Sequence, residues 1–233
     1  MSCRVSLLSY TPDPDKLVLS AARLCYSETS AEKLFENFEF KNPEKFILDL
    51  RQSGHLSTFE HASFTFTIDG LSRVASHQLV RHRIASFSQQ SQRYVKMNKL
   101  EAVTPESISR NPDALKLYTE QIERSHESYV NLINMGIPAE DARFILPHSW
   151  ETKIVMTMNA RELHHFFSLR TCRRAQWEIQ GLARRMLFLV RKAAPLLFNT
   201  AGPKCLISKC EEARPCGRPY KNMDNLFELE DLN

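Results

Sequence analysis

The chain of 233 residues is poor in glycine. It contains six glycines, and these are scattered widely along the sequence. Their spacing excludes the GxGxxG fingerprint, the Walker A loop and the GxSxG elbow in their usual forms. A phosphate group bound by this chain would therefore have to be held by side chains, chiefly arginine, rather than by a glycine-rich backbone loop.

Long apolar runs are also absent. No stretch is long enough to span a bilayer, so we predict no membrane partner. The first residues show no apolar segment followed by a small-residue cleavage site, and we expect a cytoplasmic location. With 42% hydrophobic and 25% charged residues, the composition is typical of a folded globular protein and excludes extensive disorder.

Acidic residues are missing from one long segment. Between Gly70 and Leu100 there is no Asp or Glu, whereas the segment carries several arginines, lysines and histidines. A solvated basic surface usually mixes both charges, so this pattern favours an anion-binding site over a plain basic surface. Net charge is only +4, which by itself does not indicate a nucleic-acid partner.

Periodicity and turn residues predict an α+β fold rather than a doubly wound α/β fold, because strands and helices do not alternate regularly. We expect a single domain with a central, mostly antiparallel sheet flanked by long helices. The predicted strands are 5–10, 59–68 and 153–158. The predicted helices are 15–25, 43–52, 71–80, 113–135, 138–146 and one or two helices within 161–197.

The densest group of polar side chains runs from Gln78 to Tyr94. Three consecutive cationic or potentially cationic residues, Arg81-His82-Arg83, are followed by hydroxyl and amide side chains. Guanidinium groups with Ser and Gln donors suit a phosphate joined to a polar heterocycle. A solvated turn with scattered hydrogen bonds is the alternative, and the residues alone do not decide between the two.

The triplet Arg81-His82-Arg83, followed after seven residues by Ser91, resembles the signature of flavin-dependent thymidylate synthases. Other segments match this family in the same order along roughly Leu17 to Leu197. These segments are Ala21-Ala22-Arg23, the run from Gly54 to His61, the run from Ala142 to Pro147, the run from Met158 to Leu163, Leu169-Arg170 and the run from Ala175 to Ile179.

The resemblance implies a methyltransferase that converts dUMP to dTMP. It implies FAD as cofactor, 5,10-methylenetetrahydrofolate as carbon donor and NADPH as reductant, with release of tetrahydrofolate. It also implies a homotetramer whose active sites are shared between subunits, with no nucleic acid as partner. We place the synthase domain at residues 1–200 and a cysteine-containing C-terminal tail at residues 201–233.

Site residues follow from the same resemblance. Arg81, Arg170 and Ser91 are the expected catalytic residues, although Ser91 has no base at a fixed spacing and we assign it to nucleotide binding. The expected substrate-binding residues are Gln78, Arg81, Gln89, Gln90, Ser91, Gln92, Arg93, Arg143, Arg170 and His55. The expected FAD-binding residues are Ser57, Glu60, Arg81, His82, Arg83, Ile84, Asn159, Arg161, His165, Leu169 and Arg174.

Helical spacing agrees with part of this assignment. Arg161, His165 and Leu169 recur every four residues and share one face of a helix, whereas Arg170 lies about 100° around the axis. Arg170 therefore faces a different ligand, or the helix changes course there. The resemblance assigns Arg170 to dUMP rather than to FAD, which agrees with the first of these.

The six cysteines and eight histidines give a weaker signal. Cys205, Cys210 and Cys216 are separated by four and five residues, Cys172 lies far upstream, and no HxxxH pair exists. These spacings are not those of common zinc motifs, so we predict no metal and free thiols.

Two other functions remain open from the residues. One is a nucleic-acid-binding module using the basic segment, which would be colourless. The other is a cysteine-dependent thymidylate synthase, which would release dihydrofolate. No cysteine lies within the group from Gln78 to Tyr94, so a cofactor is expected to carry the difficult step.

Overall fold

The structure, a computed structural model, describes residues 3–227. Its strands are β1 (Arg4–Tyr10), β2 (Ser63–Ser72), β3 (Ala85–Gln89) and β4 (Glu151–Asn159). Its helices are α1 (Pro14–Leu24), α2 (Ala31–Glu36), α3 (Pro43–Gln52), α4 (Arg73–Leu79), α5 (Glu106–Ser109), α6 (Pro112–Asn134), α7 (Ala139–Ala142), α8 (Ala160–Arg170), α9 (Trp177–Ala193), α10 (Pro195–Phe198), α11 (Lys204–Ile207) and α12 (Met223–Phe227). Two 3₁₀ helices span Leu56–His61 and Arg143–Ile145. No helix in the described part is long and apolar enough to cross a membrane.

The four strands form one antiparallel sheet in the order β1-β2-β4-β3. Buried and partly exposed residues alternate along β2, where Phe64, Phe66 and Ile68 are buried, and along β4, where Ile154 and Met156 are buried. Alternation of this kind places one face of a sheet on the core, because successive side chains point to opposite faces. The expected α+β class with an antiparallel sheet is confirmed.

The predicted strand at 59–68 is wrong at both ends. Residues Leu56–His61 form a 3₁₀ helix, and β2 continues past the expected turn at Asp69-Gly70 to Ser72. Gly70 has a φ of 76° inside the strand, a conformation that glycine adopts at little cost and that is typical of a β-bulge. The strand therefore reaches Ser72, whose hydroxyl accepts a hydrogen bond from Ala75 N and starts α4 at Arg73.

Several elements were not expected from periodicity, among them the short helices α2, α5, α11 and α12 and the strand β3. Strand β3 lies within the polar group from Gln78 to Tyr94, where the alternation of small and polar residues carries little hydrophobic signal. One or two helices were predicted within 161–197. The structure has two long helices there, α8 and α9. Gln176 caps α9 by accepting hydrogen bonds from Glu178 N and Ile179 N.

Contacts divide the chain into two compact units. The first unit comprises the start of the described chain, Ile68–Arg81 and Ser88–Val155. Its core includes Met97, Ile122, Tyr129 and Trp150, and Tyr129 Oη accepts a hydrogen bond from Met97 N at 3.1 Å. Helix α6 supplies Ile122 and Tyr129 to this core, which explains its long apolar face.

The second unit comprises Val5–Thr67, His82–Phe87 and 156–227 among the described residues. Helices α8 and α9 pack against each other within it. An aromatic cluster joins Phe59, Phe64, Phe167, Phe198 and the ring of His164, with ring centroids 5.2 to 6.0 Å apart. This cluster fixes α8 against the start of β2. The proposed boundary between residues 200 and 201 stays a prediction.

Candidate active site

A buried chain of hydrogen bonds joins Glu162, His82 and Arg170 in the second unit. Glu162 Oε1 lies 3.1 Å from His82 Nδ1, and Arg170 Nε donates to His82 Nε2 at 3.0 Å. His82 and Glu162 are almost fully buried, at 5% and 6% exposure. Phe166 packs edge-on against the imidazole, with centroids 4.9 Å apart. These contacts leave the ring of His82 little freedom to rotate.

Hydrogen-bond chemistry fixes the protonation of His82. A guanidinium nitrogen can only donate, so His82 Nε2 must be an unprotonated acceptor. The ring proton therefore sits on Nδ1 and is donated to Glu162 Oε1. His82 is neutral in this arrangement, and the carboxyl group of Glu162 sets which tautomer presents an acceptor to Arg170.

The electrostatic environment agrees with a neutral His82. Burial, together with the charges of Arg170 and nearby His165, lowers its pKa to about 4. Burial raises the pKa of the Glu162 carboxyl, an effect that His165 opposes. A protonated imidazole would face the Arg170 guanidinium directly, so the chain is stable only with His82 uncharged.

Local sequence explains why α8 carries these groups. Asn159 caps the helix by accepting from Glu162 N at 2.9 Å, which places Glu162 in the first turn. A carboxyl group there interacts favourably with the positive end of the helix dipole. Arg170 ends the helix, where a cation is favoured for the same reason.

A cavity of about 590 Å³ opens beside this chain in the second unit. It is lined by Arg51, Leu56, Glu60, Ile84, Asn159, Arg161, Glu162, His164, His165 and Ser168. The volume is in the range of sites for small molecules and cofactors, and the lining combines apolar side chains with a few polar groups. Ile84 is 66% exposed, which is unusual for so apolar a side chain and provides a flat contact surface.

One lining residue has an unused hydrogen-bonding atom. His164 Nε2 lies 2.9 Å from Leu197 O and must donate to it, so Nδ1 is an acceptor. That Nδ1 is buried and has no hydrogen-bond partner. Burial and the charge of Arg51 lower the pKa of His164 to about 3, so the ring stays neutral. A buried acceptor without a partner is typical of a site that binds a ligand.

Five of the residues expected at FAD line this cavity together. These residues are Glu60, Ile84, Asn159, Arg161 and His165. Arg161 and Glu60 form an exposed ion pair at 2.5 Å, which links α8 to the 3₁₀ helix 56–61. His82 lies in the buried chain described above, and Arg83 is exposed.

Three expected FAD contacts lie elsewhere in the second unit. Ser57 lines a groove beside α1 and α2, and Leu169 and Arg174 line a different cavity that contains cysteines. Ser168 is shared by that cavity and the one of 590 Å³. The roles of Ser57, Leu169 and Arg174 in cofactor binding stay predictions.

The residues expected at dUMP fall mainly in the first unit, on α4 and on β3 with the loop that follows it. Gln89 Nε2 donates to Ser76 Oγ at 3.2 Å and to Thr152 Oγ1 at 3.1 Å. Ser91 Oγ accepts from Arg93 N at 3.2 Å, a contact that shapes the loop. The buried Nε2 of Gln92 has no hydrogen-bond partner, which leaves a donor for a ligand.

Arginines in the first unit are held in different ways. Arg93 pairs with Glu140 at 2.5 Å, and Arg143 Nε donates to Glu140 O at 3.0 Å. Arg81 is exposed after the end of α4, and Gln78 is half-buried on that helix. Arg170 and His55 belong to the second unit, where His55 is exposed.

Sequence reasoning missed Arg73 as an individual site residue. Its Nη2 donates to Gln90 O at 2.9 Å, while its buried Nε has no partner. Burial and the nearby Arg143 charge lower the pKa of the Arg73 guanidinium. Two guanidinium groups that repel each other while one keeps an unused donor favour an anionic ligand. The signal existed, because Arg73 lies in the acid-free segment.

Glu162, His164 and Arg51 were also missed. Glu162 was named only within the matched run from Met158 to Leu163, and His164 and Arg51 were not among the expected site residues. Their importance comes from burial and from contacts with residues distant in sequence, such as His82 and Leu197. Periodicity does not report such contacts.

Within residues 3–227, the only group of three metal-ligating side chains whose ligand atoms all lie within 4.8 Å of one another is His82, Glu162 and His165. Both ring nitrogens of His82 are already engaged, Nδ1 with Glu162 and Nε2 with Arg170. A metal ion would have to displace the Arg170 guanidinium and would meet its charge. The group is therefore better explained as a hydrogen-bonded chain than as a metal site.

Comparison with known proteins identifies the family of this chain. A family model described as "Thymidylate synthase complementing protein" matches residues 6–196. The chain is 49% identical over 218 residues to a flavin-dependent thymidylate synthase of Geobacter sulfurreducens, covering 92% of this chain and 94% of the relative. It is 46% identical over 218 residues to one from Pyrococcus horikoshii, with 90% of each chain covered.

A solved structure is also similar. The crystal structure of the UMP/dUMP methylase PolB from Streptomyces cacaoi, bound with 5-Br dUMP, matches with a TM-score of 0.77 and 27% identity. The match covers 85% of this chain and 93% of that protein.

Fold and site thus define an α+β enzyme of the thymidylate synthase type, a methyltransferase. The chain belongs to the family of flavin-dependent thymidylate synthases, as its sequence motifs predicted.

Proposed function

We propose that this chain catalyses the reductive methylation of dUMP to dTMP. Bound FAD is the cofactor, 5,10-methylenetetrahydrofolate donates the carbon, and NADPH is the reductant. The methylene carbon forms a bond to C5 of uracil, from which a proton leaves, and one hydride from NADPH, delivered through the flavin, completes the methyl group. The C5 proton and one further proton saturate the two folate nitrogens from which the carbon is released, which regenerates tetrahydrofolate. The observation that carries the proposal is the buried chain Glu162–His82–Arg170 beside a cofactor-sized cavity.

The cavity of 590 Å³ fits a flavin by its donor set. Leu56 and Ile84 offer apolar contact, Arg161 and Arg51 offer positive charge, and the unpaired Nδ1 of His164 offers an acceptor. Arg161 would hold the pyrophosphate, because a guanidinium binds phosphate oxygens in pairs. When bound, the flavin supplies hydride transfer, which none of the amino-acid side chains can perform.

Arg170 is the group that acts on the pyrimidine in this proposal. Its guanidinium stabilises negative charge that develops on a uracil carbonyl as C5 becomes nucleophilic. His82 holds the Nε–H edge of Arg170, so the remaining donors keep a fixed direction. Glu162 acts through His82 and is a positioning residue, because it fixes the ring proton on Nδ1.

Residues of the first unit would bind the nucleotide. Arg73 and Arg143 offer two neighbouring guanidinium groups to the phosphate, and Gln92 offers a buried amide donor to the base. Gln78, Arg81, Gln89, Gln90, Ser91 and Arg93 stay the further predicted contacts. The positive charge of Arg81 would stabilise negative charge that develops on the pyrimidine.

Homotetramer assembly with shared active sites is part of the proposal. Large apolar side chains are exposed in the first unit, including Tyr94 at 77%, Met135 at 76% and Phe144 at 85%. Exposed apolar side chains of this size favour contact with another protein surface. Phe144 follows directly on Arg143, so such a contact would bring a second chain near a predicted substrate residue.

A cysteine-dependent mechanism has no support in the described residues. Within 3–227, no cysteine lines the cavity of 590 Å³, and none lies in the loop from Gln89 to Arg93. The buried Cys3 and the exposed Cys25 lie outside both groups.

A visible absorption spectrum tests the proposal. Purified protein is expected to be yellow, to bleach when NADPH is added without oxygen, and to regain colour when dUMP and methylenetetrahydrofolate follow. A colourless protein that binds DNA with strong salt dependence would contradict it and favour the nucleic-acid-binding alternative.

A further inference from the structure

Four of the six cysteines gather at one place in the second unit. Cys172 lies in the loop between α8 and α9, Cys205 lies in α11, and Cys210 and Cys216 lie in the segment that follows. All four are half-buried free thiols, and all four line one cavity of about 160 Å³. Three come from the tail and one from far upstream, so the tail folds back onto the α8–α9 loop.

The tail has little other means of holding its shape. Between Gly202 and Phe227 its regular structure is limited to α11 and α12, of four and five residues. Its buried apolar side chains in this range are Tyr220 and Leu226. A segment with so few buried apolar groups cannot offset the entropy of ordering by burial alone, which is why such segments usually carry a cross-link.

Contacts at the cavity rim bring the tail into position. Arg174 donates to Arg214 O and approaches Glu212 at 3.8 Å, and the Arg173 guanidinium lies 4.1 Å from the centroid of the Tyr220 ring. Arg184 donates to Tyr220 Oη. These contacts hold Glu212, Arg214 and Tyr220 against α9 and the loop before it, and so bring the tail cysteines to the cavity that Cys172 lines.

We propose that Cys172, Cys205, Cys210 and Cys216 bind one structural Zn²⁺ ion. Four thiolates form the tetrahedral set that closed zinc sites prefer, with Zn–S distances of about 2.3 Å. Four thiol protons are released as four Zn–S bonds form, and no electron is transferred. The site lies outside the proposed cofactor cavity and goes beyond the proposed reaction.

The four sulfur atoms must move closer together before one ion can bind them all. In the part of the chain that the structure describes, no three of these sulfur atoms all lie within 4.8 Å of one another. Zinc binding would therefore draw the segment 205–216 inward onto Cys172. The flexible tail permits this movement, since the segment lacks long helices and strands.

Metal analysis of the purified full chain tests the proposal. Protein expressed with zinc in the medium is expected to carry about one zinc ion per chain, measured by elemental analysis against amino-acid content. Single variants Cys172→Ser, Cys205→Ser, Cys210→Ser and Cys216→Ser are each expected to lose most of it. Cys25→Ser, which removes an exposed thiol outside the cavity, is the matched control and should retain the ion.

A second measurement uses wild-type protein and tests the proposal even if the serine variants fail to fold. Wild-type protein stripped of zinc and titrated with Co²⁺ alone should develop intense thiolate-to-metal absorption and a tetrahedral visible spectrum, and limited proteolysis of the tail should slow. Wild-type protein that holds no zinc and shows no such absorption overturns the proposal. A disulfide between any two of the four cysteines, or zinc retained in all four serine variants, overturns it equally.

Discussion

The two units of the chain hold their predicted site residues in different ways. In the second unit, His82 and Glu162 are buried and hydrogen-bonded to each other, and His82 accepts a hydrogen bond from Arg170. In the first unit, Arg81 and Arg93 are exposed, while Arg73 and Gln92 each keep a buried donor without a hydrogen-bond partner. A buried network fixes geometry before any ligand arrives, whereas exposed side chains gain their geometry when the ligand binds. Variants in the second unit should therefore lower kcat, and variants in the first unit should raise KM.

The largest expected effect is a pH dependence of the free energy of unfolding that arises from histidines in the second unit. His82 and His164 have pKa values of about 4 and about 3 in the folded second unit, below the ordinary value of 6.5. Below pH 6.5 the unfolded chain binds more protons than the folded chain at these two histidines, so their contribution to the free energy of unfolding should fall as pH drops from 6.5 towards 4 and be constant well above 6.5. The loss for His82 is roughly 3 kcal/mol at most.

Urea unfolding at fixed protein concentration over pH 7 to 4 measures this loss. The control is the difference between wild type and His82→Gln at each pH, because the contributions of the titrating groups that both chains share cancel in that difference. Equal pH dependence in wild type and in a His82→Gln variant that still folds would contradict the assignment of a neutral buried His82.

Replacement of Arg170 should give the next largest effect. Arg170→Ala is expected to lower kcat by about 100-fold, because a charge-assisted contact to the pyrimidine is lost. Arg170→Lys keeps the charge but not the Nε–H that bonds His82, and should recover only part of the rate.

Steady-state kinetics with saturating dUMP measure this change. Arg110→Ala is the matched control, since Arg110 pairs only with Glu106 on the surface in the interactions described, and it should keep full activity. A normal kcat in Arg170→Ala would remove Arg170 from the mechanism.

Glu162 should have a smaller effect through His82. Glu162→Ala is expected to lower kcat about tenfold, while flavin content and the KM for dUMP stay near wild type. Glu162→Gln retains an oxygen that accepts the Nδ1 proton of His82, so it should recover most of the lost rate. Equal loss in both variants, or a change in flavin content alone, would show that Glu162 has only a structural role.

Arg73 should show the smallest effect and the opposite kinetic pattern. Arg73→Ala is expected to raise the KM for dUMP about fivefold with little change in kcat, because a phosphate contact is lost. Deoxyuridine, which lacks the phosphate, should be a poor substrate for wild type. Wild type and Arg73→Ala should have the same activity with it, because the lost contact is to the phosphate. A drop in kcat without a change in KM would place Arg73 in the structural core instead.

Sequence reasoning predicted much of the fold where hydrophobic periodicity is strong. Helix α3 has the predicted bounds, and α6 differs from its prediction by a single residue at each end. It failed at β2, because the positive φ of Gly70 inside a strand cannot be told from a turn in sequence. It did not find β3, where polar residues conceal the alternation.

Prediction of the site depended on motifs rather than on geometry. The resemblance placed Glu60, Ile84, Asn159, Arg161 and His165 together, and these residues do line one cavity. Neither the role of Glu162 nor the unused donor of Arg73 could be predicted, since both depend on burial and on partners distant in sequence. The tail cysteines were expected as free thiols because their spacing is unusual, whereas the fold brings them to one cavity.

Product analysis of a single anaerobic reaction tests the central claim most directly. Protein, NADPH, dUMP and methylenetetrahydrofolate labelled on the methylene carbon are mixed, and nucleotides and folates are separated. The account predicts labelled dTMP together with tetrahydrofolate in equal amounts. Absence of dTMP, or release of dihydrofolate in its place, would contradict it.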